Sequence, residues 1–297
     1  MKLGMIGLGR MGANMTKRLT RGGHAVVAWS KGNEEPAARD AGAEWAPSPE
    51  ALLRSLPKPA VVWLMIPAGA PVDETIGALG PGLAAGDIVI DGGNSFYRDS
   101  MRRADELARR GVFFVDAGTS GGVWGLENGY CLMVGGDAAA VERARPIFET
   151  LAPEHGFARV GTSGAGHYVK MVHNGIEYAM LQSLGEGFEI LNASDFSLDL
   201  PQIAGIWRYG SVVRSWLLDL LTDALGKDPK LEHIKGWVDD SGEGRWTLEE
   251  AIDHAVPAPA LADALFARFR SRQADSFSAR AIAALRNEFG GHAVKKS

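Results

Sequence analysis

Cysteine is almost absent from this sequence. Cys131 stands alone among 297 residues, so no disulfide can form within the chain and no cysteine-based zinc site can be built. Long apolar runs are absent as well. The richest stretch, residues 60–72, is broken by Pro67, Gly69 and Pro71 and falls short of the roughly 20 apolar residues that span a bilayer. There is no basic excess either: 31 Lys and Arg against 36 Asp and Glu leave a net charge of −5, which offers nucleic acid no general attraction. The opening Met1-Lys2-Leu3-Gly4-Met5-Ile6-Gly7 enters a strand-like run directly, with no room for a signal peptide. A soluble protein of the cytoplasm, without metal, membrane or nucleic-acid partner, is expected.

What remains is an ordinary globular chain, 46% hydrophobic and 23% charged. Its length predicts two domains at about 150 residues each, large enough to bury roughly three quarters of the unfolded surface without a staple. Glycine is the one surplus, 38 residues against a usual share of about 7%. These glycines follow no period, which excludes collagen and solenoid repeats; they cluster instead.

Short apolar runs at 2–6, 24–29, 60–66, 88–91 and 112–116 alternate with helical stretches such as Ser100 to Arg110. That pattern predicts a parallel sheet covered on both faces. Beyond about Gly166 the texture changes. A proline-free helical stretch over 167–191 is followed by helical segments at 200–225, 248–256, 259–270 and 277–287, with no convincing strand. The expected architecture is an α/β N-terminal Rossmann-type doubly wound sheet, residues 1–165, followed by an all-α C-terminal domain, residues 166–297, for substrate and oligomerisation.

The first glycine cluster is Gly7-Leu8-Gly9-Arg10-Met11-Gly12, between a strand and a helix. Glycine there permits a tight turn and lets a pyrophosphate approach the helix N-terminus, where free N–H groups favour anions. Its position after the first strand, with a second strand ending about 18 residues past Gly12, matches a dinucleotide site. NAD enzymes usually place an acid at the end of that second strand, for the ribose 2′-hydroxyl. Here Trp29-Ser30-Lys31-Gly32-Asn33 stands instead. Ser30 does not repel a 2′-phosphate, and Lys31 pairs with one or else is a solvated loop charge. NADP is therefore favoured, with NAD still open.

Two further clusters, Asp91-Gly92-Gly93-Asn94-Ser95 and Asp116-Ala117-Gly118-Thr119-Ser120-Gly121-Gly122, follow strands and so lie at the carboxyl edge of the sheet, where ligands bind in such folds. Each alone reads better as a tight turn; two at one edge, beside a nucleotide site, point towards substrate. The long helix carries Lys170-Met171-Val172-His173-Asn174-Gly175-Ile176-Glu177-Tyr178. At about 100° per residue, Asn174 lies about 40° from Lys170 and Glu177 within about 20° of it. An amine, an amide and a carboxylate thus share one face, flanked by His173 and Tyr178. By geometry alone that stripe is equally an ordinary polar face, although Met171, Val172 and Ile176 are expected to pack.

Together these segments closely resemble the 6-phosphogluconate dehydrogenase family of the β-hydroxyacid dehydrogenase superfamily. The resemblance runs to Arg286-Asn287-Glu288-Phe289-Gly290-Gly291-His292, and the length resembles the short-chain form. It implies oxidation at C3 of a phosphorylated sugar acid, decarboxylation, and tautomerisation of an enediol to ribulose 5-phosphate, with NADP or NAD and no metal. It further implies Lys170 as general base, Glu177 as the acid that protonates the enediol, and Asn174 with His173 orienting the C3 hydroxyl. Asn94, Ser120, Gly121 and Gly122 would hold the carboxylate end, while Met65 and Asn94 join the glycine loop, Ser30 and Lys31 at the nucleotide.

For the phosphate the resemblance implies Tyr178, Arg268, Arg286 and His292, the last two from a neighbouring chain of a homodimer or homotetramer. Arg286 and His292 are expected beyond the last helix, before the tail Lys295-Lys296-Ser297. Around Ser241-Gly242-Glu243-Gly244-Arg245-Trp246-Thr247 the chain departs from the family, with Ser241 or Glu243 near the place of a phosphate-binding lysine. The rival readings are a 3-hydroxyisobutyrate-type dehydrogenase, which needs neither Glu177 nor the Arg/His tail, and a noncatalytic dinucleotide sensor.

Overall fold

The computed structural model describes residues 1–32 and 34–295. Asn33, in the loop that follows Trp29-Ser30-Lys31-Gly32, and Lys296 and Ser297 of the tail lie outside the described residues. The chain forms two compact units, Met1–His173 and Asn174–Ser297.

Eight strands make the sheet of the first unit: β1 (Lys2–Ile6), β2 (Ala25–Trp29), β3 (Glu44–Trp45), β4 (Val61–Leu64), β5 (Ile88–Asp91), β6 (Phe113–Ser120), β7 (Cys131–Gly135) and β8 (Phe157–Gly161). Their order is β3-β2-β1-β4-β5-β6-β7-β8, doubly wound outward from β1 and β4. The helices are α1 (Arg10–Arg21), α2 (Glu35–Asp40), α3 (Pro49–Arg54), α4 (Ala70–Leu79), α5 (Tyr97–Ala108), α6 (Gly125–Asn128) and α7 (Ala138–Leu151). The start of α8 (Ala165–Asn192) also belongs to this unit.

Successive residues of a strand point to opposite faces, and β4 shows what that does here. Val61 and Trp63 join the core that holds Met15 and Leu19 of α1 and Phe148 of α7. Val62 and Leu64 join the core that holds Leu52 and Leu53 of α3 and Val72 of α4. All four are essentially unexposed, which is why the run reads as continuously apolar. On α1, Gly12, Met15, Thr16 and Leu19 are the buried residues, the i, i+3, i+4, i+7 spacing of one helical face.

Three strands escape the sequence pattern. β3 is two residues long, and β8 leaves its central residues exposed, so neither carries a buried apolar run. The five strands read from the sequence pair in parallel as expected. β7, which the pattern did not include, pairs antiparallel with β6, the two being joined through the four-residue α6 rather than a full crossover helix. β6 itself runs on to Ser120, so Gly118 and Thr119 are strand residues, not turn residues.

The second unit continues α8 and adds α9 (Leu200–Trp207), α10 (Trp216–Lys227), α11 (Glu243–Asp253), α12 (Pro259–Ser271) and α13 (Phe277–Gly290). The single helical segment expected over 200–225 is two helices. Gly210 takes a left-handed φ of 73°, and the Ser215 side chain accepts the Leu218 N–H at 3.1 Å to start α10 afresh. Phe188, Leu200, Ala204, Leu218 and Leu225 form one small core, and Tyr178, Ala264 and Leu265 another. Ile176, expected to pack, is 51% exposed while Met171 is buried, because five helical residues turn it about 140° away from Met171. Arg286 lies within α13 rather than beyond it.

Candidate functional site

The glycine loop is shaped by what surrounds it. Gly7 takes φ 96° after β1, and its N–H donates to the Trp29 carbonyl at 2.8 Å. A Cβ at Gly7 would strike Met65 and Ile66, and one at Gly12 would overlap the Gly7 carbonyl oxygen. Around a Cβ at Gly9, by contrast, there is open space. No side chain caps the start of α1 and no acid occupies its first turn, so the helix presents N–H groups and positive dipole without a competing carboxylate. The residues present fit the pyrophosphate of a dinucleotide. The Leu8 N–H reaches Ser30 Oγ at 3.3 Å, which links this loop to the end of β2. Lys31 lies 3.9 Å from Glu74, both well exposed.

The Asp91–Ser95 loop is a built turn. Asp91 accepts the Gly93 N–H at 3.0 Å and the Ser95 hydroxyl at 2.7 Å. Asn94 sits in the left-handed region at φ 52°. Its carboxamide grips the backbone of Thr119 both ways: Oδ1 accepts the Thr119 N–H at 2.9 Å, and Nδ2 donates to the Thr119 carbonyl at 3.2 Å. Ser120, next along β6, is 3.3 Å from Nε2 of His173. Asn94, Ser120 and His173 are thereby brought together. Gly121 and Gly122 follow with φ 132° and 54°, backbone that a side chain rarely adopts.

Asp116 anchors the long helix to the sheet. Fully buried, it accepts the N–H of Gly164 at 2.6 Å and of His167 at 2.9 Å, a carboxylate at a helix N-terminus. His167 is itself buried, with Nδ1 2.7 Å from Ser100 Oγ. Gly166 lies so close to Asp116 and Met133 that a Cβ would overlap their carbonyl oxygens. One turn further on, Lys170 is 4% exposed and packs against Gly118. The sequence contains Asp116 and Gly118 within a glycine cluster, but the cluster alone does not say that the carboxylate seats α8 or that the glycine admits a lysine.

In the second unit, Asn174 and Glu177 occupy partly buried positions on α8, and Gly175 lies against Thr247 and Leu261. The Tyr178 hydroxyl accepts the Ser241 N–H at 3.0 Å and lies 3.0 Å from Ser241 Oγ, which donates at 3.4 Å to Glu243. The guanidinium of Arg268 stacks 3.5 Å from the Tyr178 ring centroid and donates to the Asp239 carbonyl at 2.8 Å. So Tyr178 and Arg268 are brought together, with Ser241 and Glu243 beside them. Asp240 receives Arg245 at 2.9 and 3.1 Å and Arg272 at 2.9 Å. Arg245, then Arg272, draw its carboxyl down to about 2 against the cost of burial. Sequence analysis assigns this aspartate no role; the available signal is Asp239-Asp240 followed by Arg245 of α11, Arg268 of α12 and Arg272 just after it. Arg286 and His292 are both exposed, on and just after α13.

No helix among the described residues is long and apolar enough to cross a membrane. Residues 2–162 match the family model for the NAD binding domain of 6-phosphogluconate dehydrogenase, and residues 166–195 match that for the 6-phosphogluconate dehydrogenase C-terminal domain. A Bacillus subtilis (strain 168) protein whose own name, a 6-phosphogluconate dehydrogenase, is provisional is 44% identical over 297 residues, covering 100% of each chain. The NAD(+)-dependent, decarboxylating 6-phosphogluconate dehydrogenase of Haloferax volcanii is 44% identical over 299 residues, covering 100% of this chain and 99% of that one. Among solved structures, Plasmodium falciparum 6-phosphogluconate dehydrogenase, described with NADP+ and with 6-phosphogluconate, superposes with a TM-score of 0.85 at 29% identity. That match covers 100% of this chain and 66% of the longer one. A nucleotide turn on a doubly wound sheet, a buried lysine at the head of a long helix, and full-length likeness together establish that the chain belongs to the 6-phosphogluconate dehydrogenase family, as an NAD(P)-binding oxidoreductase.

Proposed function

We propose that the protein oxidises and decarboxylates 6-phospho-D-gluconate to ribulose 5-phosphate and CO2. The observation that carries this reading is Lys170, a lysine almost wholly buried against Gly118 and seated by Asp116 at the head of the helix that continues through Asn174, Glu177 and Tyr178. An amine held in that position can exchange a proton with a hydroxyl bound beside it.

Bound NAD(P) supplies the hydride acceptor. Lys170 takes the proton of the C3 hydroxyl as C3 is oxidised, then returns it to the C3 keto oxygen as the carboxylate leaves as CO2. Glu177 protonates C1 of the resulting enediol while Lys170 takes back the proton of the C2 hydroxyl, completing ribulose 5-phosphate. Asn174 and His173 orient the C3 hydroxyl; Asn94, Ser120, Gly121 and Gly122 hold the carboxylate end. The phosphate falls to Tyr178 and Arg268, with Arg286 and His292 of a second copy. Ser30 and Lys31 admit the 2′-phosphate of NADP, while Glu74 beside Lys31 offsets the lysine's charge, so use of both nucleotides is proposed.

A homo-oligomer, a dimer or tetramer, is part of the reading. Its support is α13, in which no residue is buried and Ile282, Leu285 and Phe289 are 59%, 63% and 77% exposed. At spacing i, i+3, i+7 they form one apolar stripe.

The experiment is substrate-dependent CO2 release measured together with nucleotide reduction. One CO2 per reduced nucleotide with 6-phosphogluconate, and little with gluconate, is expected. Reduction of nucleotide by 3-hydroxyisobutyrate without CO2 would move the protein to the rival dehydrogenase class. No turnover of any β-hydroxy acid, with nucleotide still bound, would leave a sensor.

A further inference from the structure

Arg103 of α5 is 1% exposed and belongs to none of the motifs discussed above. Its Nε donates to Asp73 Oδ1 at 2.8 Å, and Nη2 donates to Asp73 Oδ2 at 3.2 Å and to the Gly69 carbonyl at 3.0 Å. Its Nη1 lies 3.5 Å from Oδ2 of the fully buried Asp91. A buried cation is costly unless carboxylates compensate it, and here the two carboxylates come from different elements. Asp73 is in the first turn of α4, and Asp91 ends β5.

Each end of this bridge touches a functional loop. The segment between β4 and α4 supplies Met65, which bars a Cβ at Gly7, and Ile66, whose carbonyl bars one at Gly93. Asp91 is the residue that accepts the Gly93 N–H and the Ser95 hydroxyl, closing the turn that holds Asn94 left-handed. Asparagine tolerates that backbone better than other side chains do, and the turn closed by Asp91 together with the two hydrogen bonds to Thr119 holds it there.

We propose that Arg103 is a positioning residue for the substrate loop. By its charge beside Asp91, an ion pair at 3.5 Å in which Nη1 makes no hydrogen bond, it keeps Asn94 in the conformation that grips Thr119. Through its hydrogen bonds to Asp73 and Gly69 it ties that loop to the segment beneath the nucleotide turn. This rests on the reading of Asn94 as a ligand of the sugar-acid carboxylate. Arg103 acts through Asp91 and Asn94 and is not itself a catalytic residue.

The test compares the full-length protein with Arg103→Lys, which keeps the charge but loses the planar fork, and with Asp73→Asn, which leaves the Arg103–Asp91 pair in place. Three quantities are read: KM and kcat for 6-phosphogluconate, the NADH dissociation constant by fluorescence, and hydrogen exchange at the Thr119 amide. For Arg103→Lys, KM is expected to rise about tenfold with kcat within about threefold and NADH affinity within about twofold. Thr119 exchange should quicken while Val62 in central β4 stays protected. Asp73→Asn should move KM and Thr119 exchange the same way by less.

A folded Arg103→Lys with parental KM and parental Thr119 exchange overturns the proposal. So does a loss in which KM, NADH affinity and exchange across the whole sheet worsen together, the mark of a merely structural cation. If Arg103→Lys does not fold, Asp73→Asn decides alone, and parental behaviour there overturns the proposal. If the parent does not turn over 6-phosphogluconate, the functional reading falls, while Thr119 exchange still decides on Arg103.

Discussion

Gly118 and Lys170 approach so closely that a Cβ on Gly118 would lie 2.5 Å from the Cβ of Lys170. A strand glycine normally weakens a sheet; here it lets β6 touch α8 at the position of the proposed base. Gly118→Ala should therefore cost about 1–3 kcal/mol of stability through overpacking. It should also lower kcat about 100-fold, the scale of a misplaced catalytic group. Chemical denaturation and steady-state kinetics measure the two. An alanine variant with parental kcat would show that the lysine does not depend on this contact.

Lys170→Met keeps an apolar stem of similar length and removes the amine. Oxidation should fall by at least about 10²–10⁴-fold, the usual contribution of a general acid–base group, with NADH binding retained. Turnover within about tenfold of the parent excludes Lys170 as the base.

Cofactor choice should respond at Ser30, whose hydroxyl accepts the Leu8 N–H of the glycine loop. Ser30→Asp is expected to shift kcat/KM towards NAD by at least about tenfold, because a carboxylate repels a 2′-phosphate and accepts from a 2′-hydroxyl. An unchanged ratio of the two kcat/KM values would mean that another segment selects the nucleotide.

Asp240 links stability to pH. Its carboxyl, ordinarily near 3.8, is held at about 2 in the folded unit by Arg245 and Arg272. The ionised form is thus the one that folding favours. Its contribution is present in full above about pH 4 and is lost as pH falls through about 2. With Arg245 half exposed, solvent screening reduces the contribution to about 1–2 kcal/mol. Asp240→Asn should be less stable than the parent by that amount at pH 6, and the gap should narrow at pH 3. A gap independent of pH would assign the loss to packing instead.

Arg286 offers a test of exchanged chains. Lys170→Met and Arg286→Ala subunits, each inactive or weak alone, are mixed and exchanged. If one chain's α13 completes its neighbour's site, hybrids contain sites with both an intact Lys170 and an intact Arg286, and activity returns in part. Confirmed hybrids, by mass, without returning activity mean that each site is served by its own chain.

Much of this protein is determined by sequence pattern alone. Strand β1 running into Gly7 to Gly12 and then α1 needs only local rules, because the turn, the helix start and the dinucleotide spacing all lie within one short segment. The change of texture near Gly166 and the Lys170–Tyr178 stripe are likewise legible, since helical periodicity is a property of neighbouring residues. Other features became visible only in three dimensions. That Asp116 seats α8, that Gly118 makes room for Lys170, and that Arg103 joins Asp73 to Asp91 depend on residues 12 to 52 positions apart, and no local pattern encodes which partner a buried charge will find. The exposed β8 escaped because it owes its existence to the neighbour it pairs with and carries no buried apolar run. β7 is buried and apolar, but its antiparallel direction is set by its pairing with β6 and not by its own residues. Sequence set the chemistry available along each element; packing decided which of those groups meet.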